Sequence, residues 1–310
     1  MREIRIPAFA KVNLRLDVLG KRADGYHELR TVFQTVSLDD TLRFRPSRDA
    51  AIRLQISGNE QLSREDVEKN LVYRAVDALR AELKIATGVE ILLQKRIPAG
   101  RGLGGGSSDA AAALLGYLQL ARKKVDSKRL LQIAASLGAD VPFFLLGGRV
   151  LGIGKGDEIY PLPDLAPQTM LIVSPQNIHV PTPDAYRWLN APELGSLTKD
   201  AAAHKLIEFC ALCWSPQESS LSNDFEAAVF ERHARLGQIK RELLQGGASE
   251  ALLAGSGSAV FGVFPSPAKA RRAAVGFPHD ETFVCETVSR RKYARRMNSA
   301  FVVRPLGVSS

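Results

Sequence analysis

The chain has 310 residues, of which 45% are hydrophobic and 24% charged, and its formal net charge at pH 7 is +9. This length predicts about two domains of roughly 150 residues each, with the composition of a globular protein. The positive charge favours anionic partners without selecting one. Three cysteines are too few for a disulfide framework, which excludes the small disulfide-rich class.

The N-terminus, MREIRIPAFAKVNL, has no apolar segment of signal-peptide length. The longest apolar run, at residues 110–121, is shorter than the roughly 20 residues that a membrane helix needs. We therefore expect a cytoplasmic protein that does not bind a membrane. Cys210 and Cys213 form a C-x-x-C pair without a second pair or two histidines, so we expect them to pack in a core rather than bind metal.

The first 60 residues predict strands. KVNLRLDV alternates strictly, which places its polar residues, Lys11 and Asn13 among them, on one face of a strand. Asp24-Gly25 predicts a hairpin turn before HELRTVFQTVSL. Separate short strands are expected at DTLRFRP and AIRLQIS, followed by a helix at residues 66–83 and the strand GVEILLQKRIP.

Beyond the glycine-rich stretch, a helix should begin near Ser108, and a second should run from Ser127, as its cap, to a left-handed Gly138. RVLGIGKGDEIYPLP predicts a hairpin, and the linker-like PLPDLAPQ places a domain boundary near residue 160. The second half predicts a strand at TMLIVSP, helices between residues 184 and 245, a hairpin at LLAGSGSAVFGVF, a helix at 267–275 and a closing strand. Mixed strands and helices without regular βαβ alternation indicate an α+β fold with domains 1–160 and 161–310.

The stretch IPAGRGLGGGSS, at residues 97–108, lies between a predicted strand and a predicted helix. The first amides of a helix have no partner within it, and glycines let such amides approach phosphate oxygens closely. Ser107 and Ser108 add hydroxyls that can bind phosphate or a phosphate-bound metal ion. A flexible turn with an ordinary serine cap is the alternative.

Gly100, Gly102 and Gly105 satisfy G-x-G-x-x-G, on which an NAD-linked oxidoreductase would rest. A dinucleotide site also needs a βαβ unit, whereas here a second helix is predicted next. The P-loop and protein-kinase motifs are absent from the sequence. A nucleic-acid-binding module would rest on the net charge and on RRKYARR at residues 290–296, which we expect to be a solvated face.

PAGRGLGGGSSDAA, PAFAKVNLRL and LLAGSGSAVFGVF resemble the motifs of the galactokinase, homoserine kinase, mevalonate kinase and phosphomevalonate kinase (GHMP) superfamily. GKRADGYHELRTVFQTV, LGADVPFF, PTPDAY and SNDFE narrow the resemblance to its kinases of 4-diphosphocytidyl-2-C-methyl-D-erythritol, in the non-mevalonate route to isoprenoids. The match covers nearly the whole chain. A homoserine or mevalonate type of kinase remains the alternative, against which DGYHEL argues.

The resemblance implies a ribosomal protein S5-like ATP-binding domain, a C-terminal α/β-plait-like domain and an active site in the cleft between them. It implies phosphorylation of the 2-hydroxyl of the cytidine-diphosphate-linked polyol, with ATP as co-substrate. Mg²⁺ is expected because ATP normally arrives as its magnesium complex; the residues that bind it stay unknown. The expected partners are these small molecules and not nucleic acid, and the expected assembly is a monomer or homodimer.

By the same resemblance, Lys11 and Asp140 are catalytic, with Asp140 as the base that accepts the hydroxyl proton. Tyr26 and Tyr186 would sandwich the cytosine, and His27 would hydrogen-bond it. The remaining expected substrate contacts are Asn13, Gly255, Ser256 and Gly257. The expected ATP contacts are Pro98, Ala99, Gly100, Arg101, Gly102, Leu103, Gly104, Gly105, Gly106, Ser107 and Ser108, together with Asn70, Leu71, Lys95 and Thr182. Arg101 stands where some members have glycine, and Asp109 where some have asparagine.

Overall fold

The computed structural model describes residues 3–194, 207, 209–211 and 221–297. Strands and helices form two antiparallel-rich sheets covered by helices, which confirms the α+β prediction. The strands are β1 (Ile4–Lys21), β2 (His27–Pro46), β3 (Ile52–Ser57), β4 (Val89–Gln94), β5 (Arg149–Gly154), β6 (Glu158–Pro161), β7 (Thr169–Pro175), β8 (Ser222–Asn223), β9 (Glu250–Leu253), β10 (Val260–Phe264) and β11 (Asp280–Glu286). The helices are α1 (Glu60–Arg64), α2 (Leu71–Leu83), α3 (Gly105–Ala121), α4 (Ser127–Leu137), α5 (Val141–Leu146), α6 (Thr182–Leu189), α7 (Phe225–Arg232), α8 (Ala234–Gln245), α9 (Pro267–Ala274) and α10 (Arg290–Met297), with a 3-10 turn at Val67–Lys69.

The first sheet has the order β3-β4-β2-β1-β8, and the β5–β6 hairpin extends it from β2. Its two long strands, β1 and β2, pair antiparallel, with register shifts between Phe9 and Lys11 and between Asn13 and Arg15. Such irregularities bend a strand and redirect its side chains. Here they flank Lys11 and Asn13, the residues that the sequence places on one polar face.

DTLRFRP is not a separate strand but the second half of β2. Its first residue, Asp40, lies where the break between two separate strands would be. Asp40 is instead fully buried, and its Oδ1 accepts hydrogen bonds from the backbone amides of Arg96 and Ile97 at 2.5 and 2.8 Å. A carboxylate with such partners can lie inside a sheet without ending the strand.

Helix α3 lies against both long strands, α2 and α5, and its residues from Ser108 to Leu118 are buried. Its sequence has no continuous polar face, as expected of a helix that is covered on all sides. The N-terminus of this central helix is thereby fixed at the edge of the first sheet, where the glycine-rich stretch enters it.

Several helix ends differ from their predicted positions. Helix α3 begins at Gly105 rather than Ser108, because Gly104, with a left-handed φ of 71°, is its N-cap residue. Asp126, not Ser127, caps α4 through its side chain. Gly138 has a φ of 169°, which is extended rather than left-handed, since the chain turns directly into α5. The helix expected at residues 66–83 is interrupted by Asn70, which caps α2.

The second sheet has the order β11-β7-β10-β9, and its strands are all antiparallel neighbours. The predicted hairpin at LLAGSGSAVFGVF, residues 252–264, and the helix near 267–275 are confirmed. We propose that the domain boundary lies between β6 and β7, close to residue 160. The chain returns to the first domain twice, because β8 pairs with β1 and α10 packs on that domain.

The basic run at residues 290–296 is therefore not a wholly solvated face. Tyr293 and Met297 lie four residues apart on α10 and are fully buried in the first domain's core. The prediction for the C-x-x-C pair is wrong for Cys210, which is exposed; Cys213 lies outside the described residues. Among the described residues, no helix is both long enough and apolar enough to cross a membrane.

Candidate active site

A cleft of about 1120 Å³ lies between the two sheets and is lined by residues from both halves of the chain. Every residue predicted for the site lines this cleft, apart from Ser108 and Gly257. The structure thus brings together residues that are up to about 245 positions apart, from Lys11 to Ser256. Their individual roles with ligands stay predictions.

The glycine loop, defined here as residues 98–104, has a backbone that requires its glycines. Gly100, Gly102 and Gly104 have φ angles of +66°, +78° and +71°, which side chains strongly disfavour. A Cβ at Gly102 would also lie 1.8 Å from the carbonyl oxygen of Ala254. The loop can therefore lie directly against the second domain, and it enters α3 with that helix's first amides at the cleft.

The helix start offers an anion-binding environment beyond its backbone. Ser107 lines the cleft, while Ser108 lies just beneath and is 1% exposed. Within the described part of the chain, the Ser108 Oγ atom has no hydrogen-bond partner. Buried hydroxyl groups are normally hydrogen-bonded. Because a helix N-terminus attracts negative charge, an anion is the ligand that best fits this position.

Lys11 projects from the irregular part of β1 to the floor of the cleft. Its Nζ atom donates a hydrogen bond of 2.7 Å to Asn13 Oδ1 and lies 3.6 Å from Asp140 Oδ2. The ammonium group also lies 5.4 Å from the ring centroid of Phe33. The predicted meeting of Lys11 and Asn13 on one face is confirmed, and Asp140 joins them from the turn before α5.

Asp140 is the most accessible member of this group, with a side chain that is 33% exposed against 5% for Lys11. It immediately precedes α5, whose second residue is Pro142, so the backbone that carries the carboxylate has little freedom. The adjacent Asn13 is fixed in turn, because its Nδ2 atom donates to Thr31 Oγ1 at 2.8 Å. A reachable carboxylate beside a fixed ammonium can orient a hydroxyl and receive its proton.

An aromatic group forms the far end of the cleft. Tyr26 is 59% exposed, with Lys155 Nζ 4.8 Å from its ring centroid. His27 stacks on Tyr186 at a centroid distance of 4.5 Å and an interplanar angle of 23°, and Tyr186 meets Phe225 edge to face. The structure thus places His27, not Tyr26, directly against Tyr186. An exposed flat ring such as Tyr26 offers a stacking surface to a base.

The two stacked rings at this end, His27 and Tyr186, are neutral near pH 7. Burial, and then the nearby charge of Lys21, lowers the pKa of His27, so that its imidazole is neutral near pH 7 with one donor and one acceptor nitrogen. Burial, followed by the Asp140 charge, raises the pKa of Tyr186. Both rings therefore present neutral hydrogen-bonding groups, which suit a neutral heterocycle.

Lys95 has a different setting from the one expected of an ATP ligand. Its Nζ atom lies 2.5 Å from Asp40 Oδ2 and 2.7 Å from Asp109 Oδ2, and all three side chains are buried. A Cβ on Gly105 would lie 3.3 Å from the same Nζ. The ammonium thus supports the start of α3 from below while its charge is matched by two carboxylates.

Four other expected ATP or substrate contacts also have partners within the protein. Asn70 Oδ1 accepts from the Val72 amide at 2.9 Å as the cap of α2. Thr182 Oγ1 and Ser256 Oγ lie 3.0 Å apart, which joins α6 to the turn between β9 and β10. The Arg101 guanidinium donates to the Ser258 hydroxyl and to the Gln176 carbonyl.

Sequence reasoning missed some residues that shape the site. Asn223 Nδ2 donates to the carbonyls of Leu253 and Gly255, at 2.9 and 2.7 Å. It thereby fixes the turn between β9 and β10, residues 254–259, which is called the substrate turn here because substrate contacts are predicted in it. Asn223 belongs to SNDFE, one of the motifs that carry the resemblance, but the motif alone does not predict these hydrogen bonds. Asp40 and Thr31 carried no comparable signal, since nothing in β2 marks them as different from ordinary strand residues. Within the described ranges, no three His, Cys, Asp or Glu side chains gather as a metal cluster.

Comparison with known proteins agrees with this architecture. The model of the GHMP kinases N terminal domain matches residues 70–148, and that of the GHMP kinases C terminal region matches residues 202–279. A crystal structure of homoserine kinase from Cytophaga hutchinsonii superposes with a TM-score of 0.72 at 22% identity, covering 93% of this chain and 95% of that one. At this identity the likeness concerns the fold alone, which is the two-domain fold that the motifs implied.

More similar relatives share one name. The 4-diphosphocytidyl-2-C-methyl-D-erythritol kinase of Solibacter usitatus (strain Ellin6076) is 45% identical, over 94% of this chain and 91% of the relative. That of Geobacter metallireducens is 39% identical, over 88% and 94%. A crystal structure of 4-(cytidine 5'-diphospho)-2C-methyl-D-erythritol kinase matches with a TM-score of 0.75 and 35% identity, over 92% of this chain and 99% of the other. With the glycine loop and the Lys11–Asp140 pair in place, the chain belongs to the 4-diphosphocytidyl-2-C-methyl-D-erythritol kinase family of GHMP kinases.

Proposed function

We propose that the protein transfers the γ-phosphoryl group of ATP to the 2-hydroxyl of 4-diphosphocytidyl-2-C-methyl-D-erythritol, a step toward isoprenoid precursors by the non-mevalonate route. One observation carries the proposal. Lys11 Nζ lies 3.6 Å from Asp140 Oδ2 in a cleft that also contains the glycine loop and an exposed aromatic end. Relatives that share up to 45% identity across 94% of the chain bear the name of this kinase.

Phosphoryl transfer mainly requires that a protein position the reactants and stabilise negative charge. The glycine loop and the first amides of α3 hold the triphosphate, since their glycines allow close backbone approach. Lys11 supplies a fixed positive charge at the point where the transferred group meets its acceptor. The hydrogen bond to Asn13 holds the ammonium in that position.

Asp140 orients the acceptor hydroxyl and takes up its proton as the new O–P bond forms. The carboxylate is suited to this because it is one-third exposed and thus reachable by a ligand, yet remains next to Lys11. The proton that leaves the hydroxyl ends on an Asp140 oxygen. Lys11 stabilises the charge on both the carboxylate and the incoming phosphoryl group.

Magnesium fits the donors at the start of α3. The Ser108 hydroxyl is buried and has no partner among the described residues, and Ser107 lines the cleft beside it. Hydroxyl oxygens and phosphates are ligands that Mg²⁺ accepts, and it usually keeps part of its water shell. Bound with ATP, the ion would neutralise charge on the β- and γ-phosphates.

The aromatic end binds the cytidyl portion. Tyr26 offers an exposed ring for stacking, and the neutral imidazole of His27 offers one donor and one acceptor to the edge of a cytosine. Tyr186 stacks on His27.

The alternative of an NAD-linked oxidoreductase is wrong. Helix α3 is followed by α4 and α5 rather than by a parallel strand, and the chain matches the GHMP kinase family.

We also propose a monomer or homodimer in the cytoplasm that binds these two small molecules and no nucleic acid or membrane. Light scattering coupled to gel filtration would measure its mass in solution. A mass above that of two chains would contradict the proposed assembly.

The activity is tested by ADP release from purified protein supplied with ATP, the cytidyl substrate and Mg²⁺. We expect turnover that requires both the substrate and the metal ion, with phosphorus NMR showing a new phosphomonoester on the product. Homoserine and mevalonate serve as comparison acceptors. Turnover with either of these, and none with the cytidyl substrate, would sink the proposal.

Base stacking is tested by Tyr26→Ala, with the exposed Tyr160 of β6 as the matched Tyr→Ala control. Loss of one aromatic surface should raise KM for the cytidyl substrate about tenfold, since stacking on an aromatic contributes roughly 1–3 kcal/mol per base. KM for ATP should stay within about twofold, by the same reasoning that only the base contact is removed. Equal changes in both KM values would count against stacking at Tyr26.

A further inference from the structure

Arg101 lies inside the glycine loop, between two glycines with left-handed backbone, and its side chain reaches the second domain. Nη1 donates to Ser258 Oγ at 2.8 Å, and Nη2 donates to the Gln176 carbonyl at 2.9 Å. Its own carbonyl accepts from the Ala259 amide at 3.2 Å. Backbone and side chain of this residue thus both join the loop to the second domain.

The acceptors belong to a well-fixed part of that domain. Ser258 is fully buried, and its hydroxyl donates to the Ile178 carbonyl at 2.6 Å. Ser258 lies two residues after Ser256, which lines the cleft together with Gly255. The hydrogen bond to Ser258 therefore links Arg101 to the substrate turn.

The neighbours of Arg101 make contacts with the same region. The space where Gly102 would carry a Cβ is occupied by the Ala254 carbonyl at 1.8 Å, and that at Gly100 by the His179 ring at 2.8 Å. These contacts set how close the loop lies to the second domain but provide no directional bond. The planar, multiply donating guanidinium of Arg101 supplies that direction, since holding two of its nitrogens fixes its orientation.

We propose that Arg101 is a positioning residue that couples the glycine loop to the substrate turn, so that ATP and the cytidyl substrate each strengthen the binding of the other. The inference deepens the proposed function and rests on it. Substrate bound against Gly255 and Ser256 stabilises this position of the turn, and the Arg101 hydrogen bonds transmit that stabilisation to the loop. Because coupling between two sites is reciprocal, ATP must improve substrate binding by the same factor.

The test measures the affinity for a non-hydrolysable ATP analogue by calorimetry, with and without saturating cytidyl substrate. In the wild-type protein we expect the substrate to raise this affinity at least fivefold, the lower end of typical coupling. Arg101→Met keeps the aliphatic part of the side chain but removes the hydrogen-bond donors. It should reduce the coupling factor below about twofold, and it should lower the affinity for the analogue without substrate about tenfold. Arg101→Lys can reach one acceptor and should restore part of the coupling and part of the affinity.

Two further variants complete the test. Ser258→Ala removes the Nη1 acceptor; it should lower the coupling, and adding Arg101→Met should cause less than the sum of the two losses. Arg129, which is bound to Glu82 on the surface at 2.8 Å, is the matched control, and Arg129→Met should retain the wild-type coupling.

An unchanged coupling factor in Arg101→Met would overturn the inference, as would a wild-type protein in which the two ligands bind independently. If Arg101→Lys were as impaired as Arg101→Met, with both losing thermal stability in proportion, the role would be merely structural. If the wild-type protein binds the analogue but does not turn over the cytidyl substrate, the proposed function fails separately. The Met and Lys affinities for the analogue alone still decide whether Arg101 positions the loop.

Discussion

Two buried lysines with aspartate partners lie near the point where the glycine loop enters α3, and they differ in how their charge is used. Lys11 is 3.6 Å from one carboxylate, and that carboxylate is 33% exposed. Lys95 is 2.5 and 2.7 Å from two carboxylates, Asp40 and Asp109, that are 0% and 5% exposed. The first pair, here called the open region, can be reached by a ligand because Asp140 is partly exposed. The second group, here called the closed region, is buried on all three side chains.

The difference shows what a buried charge can do in each setting. A closed ion pair recovers little net stability after desolvation, but removing one partner leaves the other uncompensated. Lys95, directly after β4, therefore holds β2 and α3 in one arrangement through Asp40 and Asp109. Lys11 has a longer contact and a neutral hydrogen-bond partner, Asn13, so its ammonium can respond when a phosphoryl group and a hydroxyl arrive.

Asp140→Asn gives the largest expected effect and tests the open region. The amide keeps the shape of the carboxylate but cannot accept the proton, so kcat should fall about 10²- to 10⁴-fold, the range for general-base catalysis. The free energy of unfolding should stay within about 0.5 kcal/mol, as for other changes away from the core. Steady-state kinetics and urea denaturation measure the two quantities.

The control for Asp140→Asn is the same substitution at the exposed Asp77 of α2, which should leave kcat unchanged. If Asp140→Asn turned over at a near-normal rate, the division between an open catalytic pair and a closed structural one would be wrong.

Lys95→Met tests the closed region. It leaves Asp40 and Asp109 facing each other without their cation, which should lower the free energy of unfolding by about 3–5 kcal/mol. Lys11→Met should lower it less, because Asp140 can be hydrated, yet should abolish most of the turnover. Urea denaturation of both variants makes the comparison, and equal losses of stability would show that the two lysines do not differ as described.

The last prediction, and the smallest for a single step of one pH unit, is a pH dependence of stability in the closed region. Burial, opposed by Lys95 and assisted by Asp40, raises the pKa of Asp109 from 3.8 to about 8. Between these values the folded protein binds more protons at this site than the unfolded chain does. The contribution of Asp109 to the free energy of unfolding therefore decreases as pH rises from about 4 to 8, by at most about 1.4 kcal/mol per pH unit.

Asp109→Asn removes this titration. The difference in unfolding free energy between the variant and the wild-type protein should thus shift in favour of the variant as pH increases through that window. Denaturation curves at several pH values would measure it. A difference that is constant with pH would mean that Asp109 stays ionised in the folded protein.

The open region was largely predictable from the sequence. Strand alternation places Lys11 and Asn13 together because side chains two apart in a strand share a face, and consecutive glycines before a helix indicate a phosphate loop. Asp140 was assigned by resemblance. Its distance to Lys11 then depends on the register of β1 and the turn before α5, which local pattern does not determine.

The closed region was not predictable, since Lys95 and Asp40 are 55 positions apart and no local signal pairs them. Arg101 shows the same limit. Its place in a phosphate-binding stretch suggests an anion contact, but the two oxygens that it meets come from segments 157 and 75 positions away. Asn70 illustrates a smaller case, in which a capping hydrogen bond divides a helix that periodicity alone would continue.

Helix α10 has a consequence for how the chain reaches this structure during synthesis. Tyr293 packs against Gly147, where a Cβ would lie 2.3 Å from its ring, and its hydroxyl donates to the Phe144 carbonyl. The first domain thus has a gap in its interior until the ribosome has synthesised the chain beyond Tyr293. An isolated fragment that ends at β6 would expose that gap, so the two halves of this protein are unlike modules that can be exchanged one at a time.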